Sequence, residues 1–274
     1  MSKIYFYVPN MNSPSGGMGV LMLQAKILND NGFDVVFLYE KKVGQDDFNP
    51  IWMDFSVADI KKIKINDITK LKIFRNDILV LPEGFGEYVK LTKYLKCRRV
   101  VLAQSWAYIL SSMQVRFNWK EYGLYDVISV SDGITNYINK IMPGLKIRQY
   151  RQSINHDIFK PTNDKELAIC FSANRSKENY ENTISIIDNF IELNKDKNIK
   201  VYELKGYSRI EFAKILSKCI FCLYTDEIAG FGTLPLEAMA CNTHVVGFKN
   251  NGNSEYVNDN NGFWVENSDY NALG

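Results

Sequence analysis

Short apolar, β-rich runs alternate with helical patterns twice along this chain. That alternation admits little besides parallel α/β architecture, because parallel strands need helical crossovers between them. The first series has strand patterns at Ile4–Val8, Asp34–Leu38, Asp77–Leu81, Val100–Ala103 and Val127–Val130, and helical patterns at Val20–Asn31, Tyr88–Leu95 and Ile134–Ile141. Val20, Leu21, Leu23, Ala25, Ile27 and Leu28 give the first helix an apolar set broad enough to pack on a sheet. The second series follows Ile154-Asn-His-Asp-Ile-Phe-Lys-Pro161. It has strands at Leu167–Phe171, Lys200–Leu204, Ile220–Leu223 and His244–Val246, and helices at Glu181–Leu193, Arg209–Ser217 and Leu234–Ala240. Pro161-Thr-Asn-Asp164 is turn-forming and the strand series restarts beyond it, which puts a boundary between Arg151 and Lys165 and domains over 1–155 and 156–274. The expected fold class is α/β, two Rossmann-like domains with parallel sheets. Open sheets of this kind bind ligands at the carboxyl ends of their strands, so the expected site is an interdomain cleft.

Composition narrows the function classes. The 274 residues are 46% hydrophobic, enough for two small domains or one large one, and the global balance of 33 Lys+Arg against 31 Asp+Glu does not predict nucleic acid or an acidic surface as a partner, local patches staying open. The five cysteines, Cys97, Cys170, Cys219, Cys222 and Cys241, are odd in number and lie in apolar runs, as buried thiols of a reducing compartment would. Cys219 and Cys222, three apart in a strand, should point to opposite faces and form no redox pair. Met1-Ser-Lys-Ile-Tyr-Phe-Tyr-Val8 reads as a first strand rather than a signal peptide, and no run is long and apolar enough to span a bilayer, so the expected location is cytoplasmic. Asp59–Lys72 alternates lysines with aliphatics. It is either a solvated face or a basic surface giving weak, peripheral contact with a membrane or an anionic acceptor.

The chemistry concentrates in Glu227-Ile-Ala-Gly-Phe-Gly-Thr-Leu-Pro-Leu-Glu237-Ala-Met-Ala-Cys241. Cys219–Tyr224 before it is apolar enough for a buried parallel strand, Gly230 and Gly232 allow close backbone approach, and Pro235 suits a first helical turn. Backbone N–H groups of Phe231, Gly232, Thr233 and Leu234 would then face a phosphate. Glu237, expected in the same first turn, would reach the sugar hydroxyls of the nucleotide; alternatively it stabilises its own helix by about 0.3–1 kcal/mol. Ser172-Ala-Asn-Arg-Ser-Lys177 follows the first strand of the second series, where Arg175 and Lys177 could neutralise a departing diphosphate or be ordinary solvated cations. Tyr207, in Lys205-Gly-Tyr207, either stacks on the base or belongs to a plain helix-start turn before the cap Ser208.

In the first series, Pro9–Gly19 is a glycine-rich loop after the first strand, lacking both the Gly-Lys-Ser/Thr of a P-loop and the Gly-x-Gly-x-x-Gly of a dinucleotide site. Glu40 nevertheless follows the second strand where a ribose-binding acid could lie, so a nicotinamide-dependent oxidoreductase stays in competition. His156 and His244 are read as structural. Zinc spacing and Asp-x-Asp are absent, and neither metal nor cofactor is expected.

Gly230–Cys241 followed by His244-Val-Val-Gly247 resembles the donor-binding segment of retaining GT-B glycosyltransferases of family four. The likeness is specific over about fifty residues and weaker over the whole chain. It implies transfer of a sugar from a nucleotide-diphosphate sugar to the hydroxyl of a glycan, lipid-linked or other acceptor, with retention and without metal. It assigns Gly16 and Gly17 to the donor diphosphate and acceptor side, and Arg175 to the leaving group more firmly than Lys177. Gln104 stands where relatives place a sugar-contacting histidine. The family usually carries a further glutamate at the position of Ala229, and Glu227 is the candidate to replace it as a sugar contact. Relatives also continue beyond the equivalent of Gly274 through helices that return to the first domain, which keeps open a non-catalytic or truncated nucleotide-sugar-binding protein.

Overall fold

A computed structural model describes residues 2–9, 14–40, 48–112, 118–173 and 175–274. The chain divides into two compact units, Met1–Arg151 and Gln152–Gly274.

The first unit is built on strands β1 (Lys3–Tyr7), β2 (Asp34–Glu40), β3 (Lys61–Ile65), β4 (Ile78–Pro82), β5 (Arg98–Ala103), β6 (Asp126–Ser129) and β7 (Lys146–Gln149). Among the described residues they form one parallel sheet in the order β3-β2-β1-β4-β5-β6-β7. The inner strands are nearly continuous apolar runs, as strands covered on both faces must be. The order reverses between β1 and β4, the crevice where such sheets take ligands. The helices are α1 (Gly16–Asp30), α2 (Gly86–Leu91), α3 (Trp106–Ser112) and α4 (Asp132–Ile141).

Several expectations are corrected here. The glycines Gly16, Gly17 and Gly19 are not loop but the opening turn of α1, whose buried face is Met18, Leu21, Met22 and Ala25, a helical repeat starting earlier than the aliphatic pattern at Val20 suggested. The expected helix Tyr88–Leu95 stops at Leu91. Buried Arg99 donates to Val89 O at 2.8 Å and to the Thr92 hydroxyl at 3.3 Å, so a side chain satisfies a carbonyl that another turn would have used. The lysine-rich segment from Asp59 is partly the edge strand β3, with Lys61 and Lys64 at exposed positions that discourage further pairing. Asn10–Ser13 of the expected glycine-rich loop lie outside the described residues.

The second unit contains β8 (Glu166–Phe171), β9 (Lys200–Glu203), β10 (Cys219–Tyr224), β11 (His244–Lys249) and β12 (Phe263–Glu266), with α5 (Lys177–Leu193), α6 (Arg209–Lys218) and α7 (Thr233–Ala240). Its parallel sheet runs β12-β11-β10-β8-β9 among the described residues, with the order reversing between β8 and β10. Phe159, Cys170, Leu216, Cys222, Tyr224 and Ala238 centre one core layer; Ile169, Phe171, Ile187 and Leu223 form the other. Cys219 shares the first layer with Cys222, contrary to simple alternation. The pairing of β10 with β8 shifts register between Cys219 and Phe221, with the extra residue on β8, so the regular two-residue alternation does not extend to Cys219; all five cysteines are buried and free. Burial raises the Cys241 thiol to about 11, the behaviour of an inert core cysteine.

Candidate functional site

In the second unit the loops after β8 and β10 leave neighbouring strands at the sheet's switch point. Arg175 follows β8 and addresses a single carboxylate oxygen, Asp226 Oδ2, through Nε at 2.9 Å and Nη2 at 2.5 Å. Asp226 Oδ1 in turn accepts the Ile228 N–H at 3.1 Å, so the cation is tied to the start of the glycine loop. Lys177 is the first residue of α5, its side chain 88% exposed and 3.2 Å from Glu181 one helical turn on. Asn174 of this loop lies outside the described residues.

The glycine loop is held from below by Asn250-Asn251-Gly252-Asn253. Asn250 Nδ2 donates to Asp226 O at 2.6 Å, while Asn250 and Asn253 close an interlocked turn by side chain to backbone bonds of 2.8 Å and 3.1 Å. A Cβ on Gly252 would fall 2.2 Å from Ala229 O, so only glycine lets the two backbones touch. Gly232, the N-cap of α7, has φ 77° and would bring a Cβ 2.6 Å from the Tyr224 hydroxyl. Tyr256 donates its hydroxyl to Gly232 O and packs its ring against Phe231 at 5.5 Å. The first turn of α7 offers the N–H groups of Thr233 and Leu234, Pro235 having none.

Glu237 lies in the second turn of α7 rather than the first, because the helix begins at Thr233. It is 2% exposed, and its Oε1 accepts from Arg209 Nη1 at 2.7 Å. Arg209 is the cation that sequence reasoning missed. The available signal was an arginine directly after the capping residue Ser208, a position read only for Tyr207 and the helix start. Tyr207 itself is half-buried beside Gly206, whose φ is 78°.

Glu227 is half-buried; its backbone carbonyl accepts from Asn267 Nδ2 at 3.1 Å. The Tyr270 hydroxyl accepts from Asn179 Nδ2 at 2.8 Å, and its pKa is raised first by burial and then by the neighbouring Glu227 carboxylate. Ala229 is 3% exposed and belongs to the core, so the position where the resemblance expects a glutamate is closed by packing.

In the first unit the structure brings Gly17 and Gln104 together: a Cβ on Gly17 would touch the Gln104 amide at 3.7 Å. Gln104 Oε1 is buried with no hydrogen-bond partner among the described residues. Gly16 opens the same helix with free space around it. Behind Gln104 sits a second missed residue, Glu83, 3% exposed and following β4 directly. Burial pushes its carboxyl up to about 7, against the opposing effect of N–H groups that it accepts from its own backbone, Gln104 and Ser105. Glu40 accepts the Tyr88 hydroxyl at 2.9 Å, so the acid that suggested a nicotinamide ribose is engaged by a phenol.

These features meet an independent finding. Residues 188–274 match the family of glycosyl transferases group 1. The range contains β10, the glycine loop, α7 and both members of the Arg209–Glu237 pair. An alpha-1,6-glucosyltransferase of Actinobacillus pleuropneumoniae serotype 7 is 30% identical over 118 residues, 42% of this chain, and the chain spans 36% of that relative's length. Among solved structures, sucrose-phosphate synthase from Thermosynechococcus elongatus superposes with a TM-score of 0.72 at 14% identity, covering 100% of this chain and 88% of that one. A TarM variant from S. aureus, in complex with fondaparinux, alpha-GlcNAc-glycerol and UDP, gives 0.72 at 11% identity over 100% and 91%. The fold is the GT-B-like α/β class of these glycosyltransferases, and the segment resemblance read at Gly230–Gly247 falls inside the matched range.

Proposed function

We propose that the protein is a glycosyltransferase that moves a sugar from a nucleotide-diphosphate sugar to an acceptor hydroxyl with retention of configuration. The observation that carries this reading is the rigid Gly230–Gly232 loop and α7 start, beside Arg175 at the switch point of the second sheet and within the matched segment. The TarM variant of the same fold was solved with UDP, which makes a uridine nucleotide the first donor to try.

In this reading the N–H groups of Phe231, Gly232, Thr233 and Leu234 face the diphosphate, Glu237 takes the ribose hydroxyls, Tyr207 lies by the base, and Glu227 serves the sugar. In the first unit, Gly16, Gly17 and Gln104 are the residues that the resemblance offers to the reaction. Arg175 is paired with Asp226, so the two together carry no net charge. Its contribution is directional N–H donation rather than bulk positive field. The acceptor oxygen forms its bond to the anomeric carbon on the face from which the diphosphate leaves. The bond from that carbon to the phosphate oxygen breaks through an oxocarbenium-like state, and the acceptor proton passes to the departing diphosphate. The balance closes without a protein nucleophile, a metal or a cofactor. The acceptor is a glycan, a lipid-linked glycan or another hydroxyl compound, met in the cytoplasm, with the lysines of β3 available for weak contact with an anionic surface.

The test is single-turnover transfer from a panel of nucleotide sugars in excess chelator. Transfer with an α-linked product from an α-linked donor is expected. Donor binding without turnover of any acceptor would favour the non-catalytic alternative, and activity seen only with added divalent ion would remove the metal-free mechanism.

A further inference from the structure

Resting on that reading, we propose that Arg209 is the positioning residue for Glu237, holding its carboxylate ionised and in one orientation for the nucleotide. The argument starts at Ser208. Its hydroxyl accepts the Glu211 N–H at 3.3 Å while Glu211 Oε2 accepts the Ser208 N–H at 3.0 Å, a reciprocal box that fixes where α6 begins and so where Arg209 leaves the backbone. The guanidinium then lies 4.8 Å above the ring of Phe159, a fully buried side chain itself braced by Phe212 at 6.2 Å. Packing therefore sets the path of Arg209 independently of Glu237.

At the end of that path Nη1 meets Oε1 of Glu237 at 2.7 Å, with the arginine side chain 29% exposed and the glutamate 3%. A carboxylate so buried stays ionised only with such a partner. Only the ionised form is a strong acceptor for sugar hydroxyls. A planar guanidinium can stack on the phenyl face and donate in its own plane at once; a lysine ammonium cannot reproduce both. The family likeness points to the glutamate. The arginine that sets it is a feature of this chain's own α6, one helix away.

The experiment measures UDP affinity calorimetrically, with thermal unfolding recorded alongside, for wild type, Glu237→Gln, Arg209→Met, Arg209→Lys and the double variant Arg209→Met/Glu237→Gln. Glu237→Gln should weaken UDP about tenfold to a hundredfold, the range for a hydrogen bond to a charged group. Arg209→Met should match it, and Arg209→Lys should recover part of the loss. The decisive comparison uses Glu237→Gln as background, where no carboxylate remains to be positioned: adding Arg209→Met there should change affinity less than about twofold, since coupled residues do not add. That double variant leaves no buried charge uncompensated, so it keeps the test alive if Arg209→Met alone unfolds. A further tenfold loss in the double variant, or wild-type affinity in folded Arg209→Met, overturns the proposal. Unchanged affinity in Glu237→Gln removes the glutamate assignment and the proposal with it. Failure of wild type to bind any nucleoside diphosphate refutes instead the glycosyltransferase reading on which it rests.

Discussion

Glu83 in the first unit and Glu237 in the second are buried to nearly the same degree, 3% and 2% exposed, yet their carboxyls are held by different partners. Glu237 meets a guanidinium. Among the described residues Glu83 meets backbone N–H groups alone, and burial outweighs them, pushing its carboxyl up to about 7. A buried acid can therefore be stabilised as an ion by a cation or as a neutral group by desolvation, and the two respond to mutation and pH in opposite ways.

The largest effect should come from breaking the ion pair on one side. Arg209→Met strands the Glu237 carboxylate, and loss of one partner from a buried pair costs about 3–5 kcal/mol, with the lower end expected because Arg209 keeps 29% exposure. Urea unfolding checks this. Recovery of most of the loss in the double variant would confirm that the stranded charge, not lost packing on Phe159, is responsible.

Glu83 should behave the other way. Its pKa is raised from 4.5 to about 7 in the folded state, so between those values the native protein binds the proton and the unfolded chain does not. Stability from this group is complete below about pH 4.5, falls as pH rises to about 7, and is constant above. At 1.36 kcal/mol per unit the fall is roughly 3 kcal/mol. Glu83→Gln, neutral throughout, should lack this component, so the difference between the variant and wild type should grow in the variant's favour from pH 5 to pH 8. A constant difference across that range would mean that Glu83 is already ionised, and the contrast with Glu237 would disappear.

The same contrast shows what a sequence can reveal about such a molecule. The inner strands of both sheets were legible because burial on both faces forces continuous apolar runs, as in Asp77–Leu81 and Ile220–Leu223. The edge strands β3, β7 and β12 were not, since an edge tolerates charge: Lys61-Lys-Ile-Lys-Ile65 and Lys146-Ile-Arg-Gln149 carry no such run. Of the candidate site, the glycine loop and Glu237 stood out in the sequence because their spacing suggests a mechanism. Arg209, Glu83 and the Asn250–Asn253 brace did not, because each acts through a contact 24 or more residues away in the chain or through backbone groups that have no residue identity. Alternation also misplaced Cys219, which lies where the pairing of β10 with β8 shifts register.

The brace supplies the next prediction. Gly252→Ala would put a Cβ 2.2 Å from Ala229 O, and backbone rather than a flexible side chain must move. About 1–3 kcal/mol of stability should be lost, the usual cost of overpacking. UDP affinity should fall as well, because the displaced backbone is the loop before α7. Normal affinity at reduced stability would show that the loop's shape is not what binds the diphosphate.

The smallest effect separates the two cations after β8. Arg175 is fastened to Asp226 by two N–H groups, whereas Lys177 is 88% exposed and faces Glu181 across one helical turn. An exposed pair at that spacing is worth about 0.2–0.5 kcal/mol, so Lys177→Ala should barely move stability. If Lys177 also serves the leaving group, as the resemblance allows, the variant should lose sugar transfer at saturating donor while its UDP affinity changes little, since a contact strengthened in the transition state shows in the rate and not in ground-state binding. Arg175→Lys supplies the control: it keeps a charge but gives up the planar donation that Asp226 holds in place, and a large loss is expected. Unchanged transfer in Lys177→Ala beside a large loss in Arg175→Lys would leave Arg175 as the leaving-group contact of this loop, with preorganised N–H donation doing what net charge at Lys177 does not.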